Sequence, residues 1–196
     1  MTIYLIGSLR NPEVPKLANR LRAEGWDVFD DWYAAGPEAD DKWREYEQGR
    51  GHTYLEALGG LAATHIFDFD LRHLCRSDAA VLVLPAGRSA HIELGYAIGT
   101  GKPGYILLDN EPERYDVMYK FANGVYSTVD GLVEALKMNE PIYLTLGRYW
   151  CPTCHVLAEV VAHPDAEIHC PHCNQPAIRS HGDEAIEVLD TTAKGV

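Results

Sequence analysis

The chain has 196 residues, which at roughly 150 residues per domain corresponds to one domain, or one domain with a small addition. Hydrophobic residues make up 46% of the chain and charged residues 23%, a composition that excludes wholesale disorder. The net charge of −12 argues against nucleic acid as a partner, because the phosphate backbone needs a basic face. It fits a soluble protein that binds a small molecule.

Neither a membrane span nor a signal peptide is expected from the sequence. No run approaches the ~20 apolar residues that cross a bilayer, and the chain begins with a strand-like run at residues 2–6 that no basic segment precedes. We therefore expect no membrane association, no signal peptide and a cytoplasmic location.

The first half of the chain alternates short apolar runs with segments of helical periodicity. Apolar runs typical of buried strands cover residues 3–6 and 26–30. A loop rich in Gly, Pro and acids is expected at residues 34–41. Apolar residues at helical spacing predict helices over residues 13–23 and 66–76. A polar stretch at residues 42–48 and a segment at 54–63 are also predicted to be helical, with Gly49 and Gly51 between them. In the helix over residues 66–76, Ile66, Phe67 and Leu74 fall on one apolar side, and Cys75 is expected to be a core thiol.

The second half continues the same alternation. Strands are predicted over residues 79–84, 104–108 and 125–126. Helices are predicted over residues 89–100, 112–122 and 129–137, with Ser89 and Ser127 as N-terminal caps of the first and last.

This order of elements predicts an α/β fold, a mostly parallel sheet with helices on both faces. Ligands of such sheets bind beyond the carboxyl ends of the strands. The segments expected there are residues 7–11, 30–35 and 85–93. Composition changes after Lys137, so we predict an α/β domain at residues 1–138 and a second domain at 139–196.

Glu93 is the first candidate for chemistry. It lies about one turn into a helix that follows a strand and a tight turn, where a carboxylate at the sheet edge could attack a sugar carbon. A solvated helix residue is the alternative. The free N–H groups at that helix start suit an anion, and we predict that Gly87 and Ser89 contact substrate there.

Two acids, Asp68 and Asp70, lie among aromatic residues in the preceding helix. Asp70 falls nearer the apolar stripe, where a carboxylate is costly unless it is paired or functional. Asp68 is the one expected to face solvent.

A small loop with Gly7, Ser8 and Arg10 follows the first strand. Backbone N–H groups, a hydroxyl and a guanidinium together suit a phosphate. The loop is neither a GxGxxG nor a Walker sequence, so no dinucleotide or ATP site, and no organic cofactor, is expected.

Three short patterns in order resemble the nucleoside 2-deoxyribosyltransferase superfamily, which includes the 2′-deoxynucleoside 5′-phosphate N-hydrolases. The resemblance covers roughly residues 2–137 and rests on Tyr4-x-x-Gly7-Ser8-x-Arg10, Asp70-Leu71-x-x-Leu74-x-x-x-Asp78, and Ser89-x-x-x-Glu93-Leu94-Gly95-Tyr96-Ala97 followed by Gly101-Lys102.

The resemblance implies a flavodoxin-like sheet, homo-oligomers with sites near subunit interfaces, and chemistry at an N-glycosidic bond. It implies that Glu93 is the nucleophile and that Tyr4 orients it. It further implies that Asp70 is the acid that contacts the sugar or assists the leaving base, and that Ser8 and Arg10 hold a 5′-phosphate.

An aromatic and acidic segment follows the second predicted strand. Asp31, Trp32, Trp43 and Tyr54 could form a wall on which a base stacks. Ordinary packing between helices is the alternative for Trp43 and Tyr54. We include Asp31 and Trp32 among the predicted substrate-binding residues.

Four of the five cysteines form two Cys-x-x-Cys pairs near the C-terminus, Cys151 with Cys154 and Cys170 with Cys173. This spacing predicts a zinc ribbon in which four thiolates hold one Zn²⁺. Four sulfurs complete the tetrahedron and leave no position for water, so the metal is expected to be structural. The adjacent histidines, His155, His169 and His172, could substitute as ligands.

The predicted function is therefore cleavage or exchange of the N-glycosidic bond of a (deoxy)nucleoside or nucleoside 5′-monophosphate. Glu93 would take the sugar and pass it to water or to another base. The alternative is a non-catalytic nucleotide-binding or zinc-ribbon adaptor protein.

Overall fold

The structure, a computed structural model, describes residues 1–112, 115–138, 143–155, 157–162, 167–170, 173, 175–179 and 184–187. The chain divides into two compact units, Met1–Met138 and Asn139–Val196. No helix within the described ranges combines the length and the apolar character that a membrane crossing requires.

The first unit is built on a five-stranded parallel sheet. The strands are β1 (Thr2–Ile6), β2 (Asp27–Phe29), β3 (Ala79–Val83), β4 (Gly104–Leu107) and β5 (Gly124–Tyr126). Their order across the sheet is β2-β1-β3-β4-β5, and every neighbouring pair is parallel. The predicted α/β fold with a flavodoxin-like sheet is thereby confirmed.

Helices cover both faces of this sheet. They are α1 (Glu13–Ala23), α2 (Ala39–Gly49), α3 (Tyr54–Leu58), α4 (Leu61–Arg76), α5 (Arg88–Gly99) and α6 (Val129–Met138). One face packs against α1 and α6, and the other against α4 and α5. Because side chains alternate along a strand, Leu5 faces α1 and α6, whereas Tyr4 faces α4 and α5.

Several element boundaries differ from the prediction in the segment between β2 and β3. The predicted loop at residues 34–41 is partly helical, because a 3₁₀ turn spans Asp31–Ala35 and α2 begins at Ala39. The predicted helix over residues 54–63 ends at Leu58. Gly60 has an extended backbone and is the N-terminal cap of α4, which begins at Leu61, five residues earlier than predicted.

The later boundaries differ at their caps. Gly87, not Ser89, is the N-terminal cap of α5, and Ser89 lies within the first turn. In the described part of the predicted helix at 112–122, which leaves out residues 113 and 114, a 3₁₀ turn forms at Val117–Phe121. The Asp116 carboxylate caps it and accepts the Met118 N–H at 3.0 Å. At α6 the cap is the Thr128 hydroxyl, which accepts the Gly131 N–H at 3.2 Å.

The apolar side of α4 is only partly buried. Leu74 packs in the core, but Ile66 and Phe67 are each more than half exposed. Cys75 is also exposed, with its sulfur 3.8 Å from the Tyr96 hydroxyl. The prediction of a core thiol was wrong, because helical spacing identifies an apolar stripe without showing how much of it the sheet covers.

The second unit is an antiparallel sheet. Its strands are β6 (Tyr143–Trp150), β7 (Leu157–Ala162), β8 (Ile178–Arg179) and β9 (Glu184–Glu187). Strand β6 pairs with all three of the others. A cysteine pair follows β6 directly, and the other pair precedes β8.

Candidate functional site

The loops after β1, β2 and β3 meet at one edge, because these strands are adjacent and parallel. Asn11 ties the first loop to the third. Its buried side-chain amide donates hydrogen bonds to the carbonyls of Val83 at 3.3 Å and Pro85 at 3.4 Å, and its side-chain oxygen accepts the Glu13 N–H at 3.0 Å. Sequence reasoning missed Asn11, although an Asn two residues before a helix is a recognisable capping signal.

Beneath this edge, three side chains that are far apart in the sequence come together. Tyr4 projects from β1, Asp70 from α4 and Glu93 from α5. The Tyr4 hydroxyl donates a hydrogen bond to the Glu93 carboxylate, and both carboxylates interact electrostatically with Tyr4. Tyr4 is fully buried, and the two acids are half-buried. Asp68 is exposed, which agrees with the expected orientation of α4.

Burial and mutual repulsion perturb these three groups. Burial, together with the negative charge of Asp70, raises the pKa of Glu93 to about 7, although the hydrogen bond from Tyr4 acts in the opposite direction. Burial also raises the pKa of Asp70, which the neighbouring His73 partly offsets. The pKa of Tyr4 is raised by burial and by both acids, so the phenol stays protonated and remains a donor.

Asp70 has a hydrogen-bonding capacity that the protein does not satisfy. Its Oδ1 is buried and has no hydrogen-bond partner within the described part of the chain. Since a buried unpaired acceptor is costly, this oxygen is suited to a proton or to a donor on a bound substrate.

A stack of rings supports Tyr4 from the side of β2. The ring of Phe29 lies 5.1 Å from that of Tyr4, and His73 stacks on Phe29 at 4.0 Å with an interplanar angle of 9°. Sequence reasoning missed both residues. They hold Tyr4 laterally, and His73 also lies close enough to Asp70 to act on the pKa of that carboxyl group.

The predicted phosphate loop is formed by residues 7–11. Gly7 is required for packing, because an added Cβ would lie 2.7 Å from the Val14 side chain. The Ser8 hydroxyl accepts the backbone N–H of Arg10 at 3.2 Å. The Arg10 guanidinium is engaged by Asp41 of α2 at 2.7 Å, a partner that the sequence did not indicate.

The other predicted substrate-binding residues lie around the same edge. Gly87 and Ser89 stand at the start of α5. Asp31 is exposed, whereas Trp32 is half-buried and donates its indole N–H to the Leu5 carbonyl at 2.8 Å. Trp32 therefore packs on the strand ends, between the two faces of the core.

Trp43 and Tyr54 pack against each other edge-on, with ring centroids 6.5 Å apart. This contact joins α2 to α3. It agrees with the packing alternative for these two rings.

The four paired cysteines of the second unit form one cluster. All four sulfurs of Cys151, Cys154, Cys170 and Cys173 lie within 4.8 Å of one another, and those of Cys151 and Cys173 are 3.6 Å apart. A tetrahedral ion with sulfur ligands at about 2.3 Å fits a cluster of this size. His172 lies outside the described residues, and the ligand-competent group that the structure describes contains cysteines alone.

Comparison with known proteins gives structural neighbours. No model of a known protein family matches the chain, and no curated protein matches it in sequence. A 2-deoxyribosyltransferase from Bacillus psychrosaccharolyticus is similar in structure, with 20% identity, 67% of this chain and 90% of that chain covered, and a TM-score of 0.46. A CMP N-glycosidase from Clostridium botulinum is similar with 16% identity, coverages of 70% and 99%, and a TM-score of 0.40.

Both TM-scores are below 0.5, and one fold hosts many unrelated activities, so this likeness assigns no reaction to the chain.

Proposed function

We propose that this protein cleaves or exchanges the N-glycosidic bond of a (deoxy)nucleoside or nucleoside 5′-monophosphate, with Glu93 as the nucleophile. The observation that carries the proposal is the hydrogen bond from Tyr4 to Glu93 with Asp70 in electrostatic contact. Two half-buried carboxyl groups with perturbed pKa values at the ligand-binding edge of a parallel sheet are typical of a catalytic pair.

The two carboxyl groups can divide the reaction between them. A Glu93 oxygen attacks the anomeric carbon of the sugar as the bond to the base nitrogen breaks, and the bonding electron pair leaves with the base. Asp70 in its protonated form gives its proton to the departing base. A sugar ester on Glu93 results, in the manner of retaining glycosidases.

Water or a second base completes the cycle. The acceptor attacks the same carbon, the Glu93 carboxylate leaves, and the acceptor's proton returns to Asp70. Before the ester forms, the negative charge of Glu93 stabilises the positive charge that develops on the sugar. The Tyr4 hydroxyl fixes which carboxylate oxygen faces the sugar.

The two carboxyl groups are coupled electrostatically. The negative charge of Asp70 contributes to the raised pKa of Glu93, so the two groups titrate together and not independently. Attack requires Glu93 to be ionised and proton donation requires Asp70 to be protonated, so the active form carries one proton on the pair.

The loop at residues 7–11 and the start of α5 supply the groups proposed to bind the rest of the substrate. Arg10 and the Ser8 hydroxyl are proposed to hold a 5′-phosphate, together with Gly87 and Ser89 at the N-terminus of α5. Asp31 and Trp32 are proposed to line the base side of the site, beyond the end of β2.

The cysteine cluster is proposed to hold one structural Zn²⁺. Its four sulfurs fit tetrahedral coordination, and such a ligand set leaves no position for a catalytic water. The bound ion would contribute the folding free energy that a unit of this size cannot obtain from a hydrophobic core.

A homo-oligomer is proposed from the exposed apolar side chains of α3 and α4. Leu55, Leu58, Leu61, Ile66 and Phe67 are each more than half exposed, and apolar side chains left exposed in this number favour burial against a partner. A second copy of the chain is the proposed partner. Phe67→Ser should lower the mass measured by light scattering, whereas Met138→Ser, an exposed residue of α6, should leave it unchanged.

The direct test is release of free base from a panel of nucleosides and their 5′-monophosphates. Glu93→Gln should abolish turnover in a folded protein, and Asp70→Asn should lower it at least a hundredfold, in the range of general acid catalysis, about 10²–10⁴. Asp68→Asn, which removes the exposed acid of the same helix, is the matched control and should be near wild type.

Near-normal turnover in Glu93→Gln would refute the assignment of the nucleophile. Binding of a nucleotide without release of base from any substrate would favour a non-catalytic nucleotide-binding or zinc-ribbon adaptor.

A further inference from the structure

Asp41 lies between two arginines at the candidate phosphate loop. Its Oδ2 is 2.7 Å from the Arg10 guanidinium, and its Oδ1 is 3.0 Å from that of Arg44. Asp41 and Arg44 are three residues apart on α2, so they lie on the same face of that helix. Arg10 comes from the loop after β1, and the aspartate therefore links two elements at the ligand-binding edge of the sheet.

In this arrangement the Asp41 carboxylate stands where a phosphate anion could bind to the same two arginines. Asp41 accepts a hydrogen bond from Arg10 and forms an ion pair with Arg44. It therefore occupies guanidinium groups that a phosphate could use, because both anions match the planar fork of arginine. All three side chains are between 41% and 59% exposed. An incoming anion can therefore reach them, and an exposed ion pair is weak enough to be exchanged.

We propose that Asp41 is an internal counter-ion of the 5′-phosphate site, which the substrate phosphate displaces, and that Arg44 is a second phosphate-binding residue beside Arg10. The inference rests on the proposed function for the identity of the substrate, but not for the binding of a sugar phosphate. Asp41 thereby sets specificity, because it competes with phosphorylated ligands and leaves unphosphorylated nucleosides unaffected.

The position of Asp41 also explains why a carboxylate can be displaced there. It stands in the first turn of α2, where the free N–H groups of the helix stabilise a negative charge. A carboxylate released from Arg10 therefore remains in a favourable position. It keeps its contact with Arg44 until the phosphate also binds Arg44.

The test measures binding of ribose 5-phosphate to the full chain by calorimetry. Asp41→Asn should tighten binding about fivefold, the upper range for release of an exposed ion pair. Asp40→Asn is the matched control, because it removes the same charge from the same helix turn at an exposed neighbour. It should change affinity less than about twofold through long-range charge alone. Arg44→Gln should weaken binding about tenfold, as expected for loss of a charge-assisted hydrogen bond.

Circular dichroism should show that each variant keeps the helix content of the wild-type chain. Equal changes in affinity for Asp41→Asn and Asp40→Asn would overturn the role of Asp41. Weaker binding in Asp41→Asn would overturn it as well, because that result would show that Asp41 positions Arg10. Unchanged binding in Arg44→Gln would overturn the role of Arg44. This experiment measures binding and not turnover. If the variants bind ribose 5-phosphate as expected but the protein releases no base from any substrate, the proposed function is refuted and this inference stands.

Discussion

The hydroxyl of Tyr4 on β1 donates a hydrogen bond to the carboxylate of Glu93 on α5. The strand and the helix are held at a fixed distance by the core between them, in which Ile6, Ala90 and Leu94 are all buried. Burial keeps the phenol protonated, so the donor is present throughout the range in which Glu93 titrates. The contact therefore lowers the pKa of Glu93 against the two influences that raise it.

Removing the Tyr4 hydroxyl should shift the pH dependence of kcat/KM. In Tyr4→Phe the pKa of Glu93 should rise further above about 7, so the rising limb of kcat/KM moves to higher pH. At pH 7 we expect activity to fall about tenfold, the order of one hydrogen bond to a charged group. The measurement is a pH profile of kcat/KM.

Tyr105→Phe is the control for that experiment. Tyr105 is buried in β4 on the opposite face of the sheet, and its hydroxyl has no partner within the described residues. A profile that moves equally in both variants would show that loss of a buried hydroxyl, and not of the contact with Glu93, is responsible.

Glu93 should also make stability depend on pH. Its pKa is raised from 4.5 to about 7, so between these values the folded protein holds a proton that the unfolded chain has lost. The stability that this bound proton contributes is fully present below pH 4.5 and is lost as pH rises towards 7 and above. Glu93→Gln should therefore be more stable than wild type at pH 8, by up to about 3 kcal/mol, and similar to it at pH 4.5.

Urea unfolding at both pH values measures this difference. Glu45→Gln, at an exposed position of α2, serves as the control and should give the same difference from wild type at both values. If the free energies of unfolding of Glu93→Gln and wild type differ by the same amount at both pH values, Glu93 has an ordinary pKa in the folded protein.

Arg10→Ala should separate phosphorylated from unphosphorylated substrates. Loss of the guanidinium removes a charge-assisted contact with the 5′-phosphate, so KM for a monophosphate should rise about tenfold. KM for the matching nucleoside should hardly change. Lys16→Ala, which removes a cation paired with Glu13 on α1, is the control. An equal loss for both substrates would assign Arg10 to structure.

Removal of the metal should affect the two units differently. Chelation, or the double change Cys151→Ser and Cys154→Ser, should expose the Asn139–Val196 unit to proteolysis, while Met1–Met138 keeps its own sheet and resists. At least part of the activity should persist. Cys75→Ser, at the cysteine outside the cluster, is the control and should leave the metal content at one zinc per chain. Less than one zinc per wild-type chain, or turnover with a zinc-dependent pH profile, would contradict a structural site.

The sequence by itself determined the architecture of the first unit. Short apolar runs such as Ala79–Val83 must be buried on both faces, and the helical segments between them require parallel crossovers, so local periodicity is sufficient to predict the sheet and both helical layers. The cysteine spacing likewise predicted a cluster, because two short Cys-x-x-Cys pairs are typical of a site with four thiolate ligands. Both predictions depend on residues close together in the chain.

Tertiary structure alone decided how distant side chains meet. The alternation of β1 directs Tyr4 towards Glu93, but only the packing of α4 and α5 on that face brings Asp70 beside them and raises both acid pKa values. The pairing of Asp41 with Arg10 depends in the same way on where α2 lies relative to the first loop. Periodicity repeats every two or 3.6 residues, so it reports which face a side chain occupies. It carries no information on which residues from other elements share that face, and desolvation and charge–charge interactions are set by those neighbours.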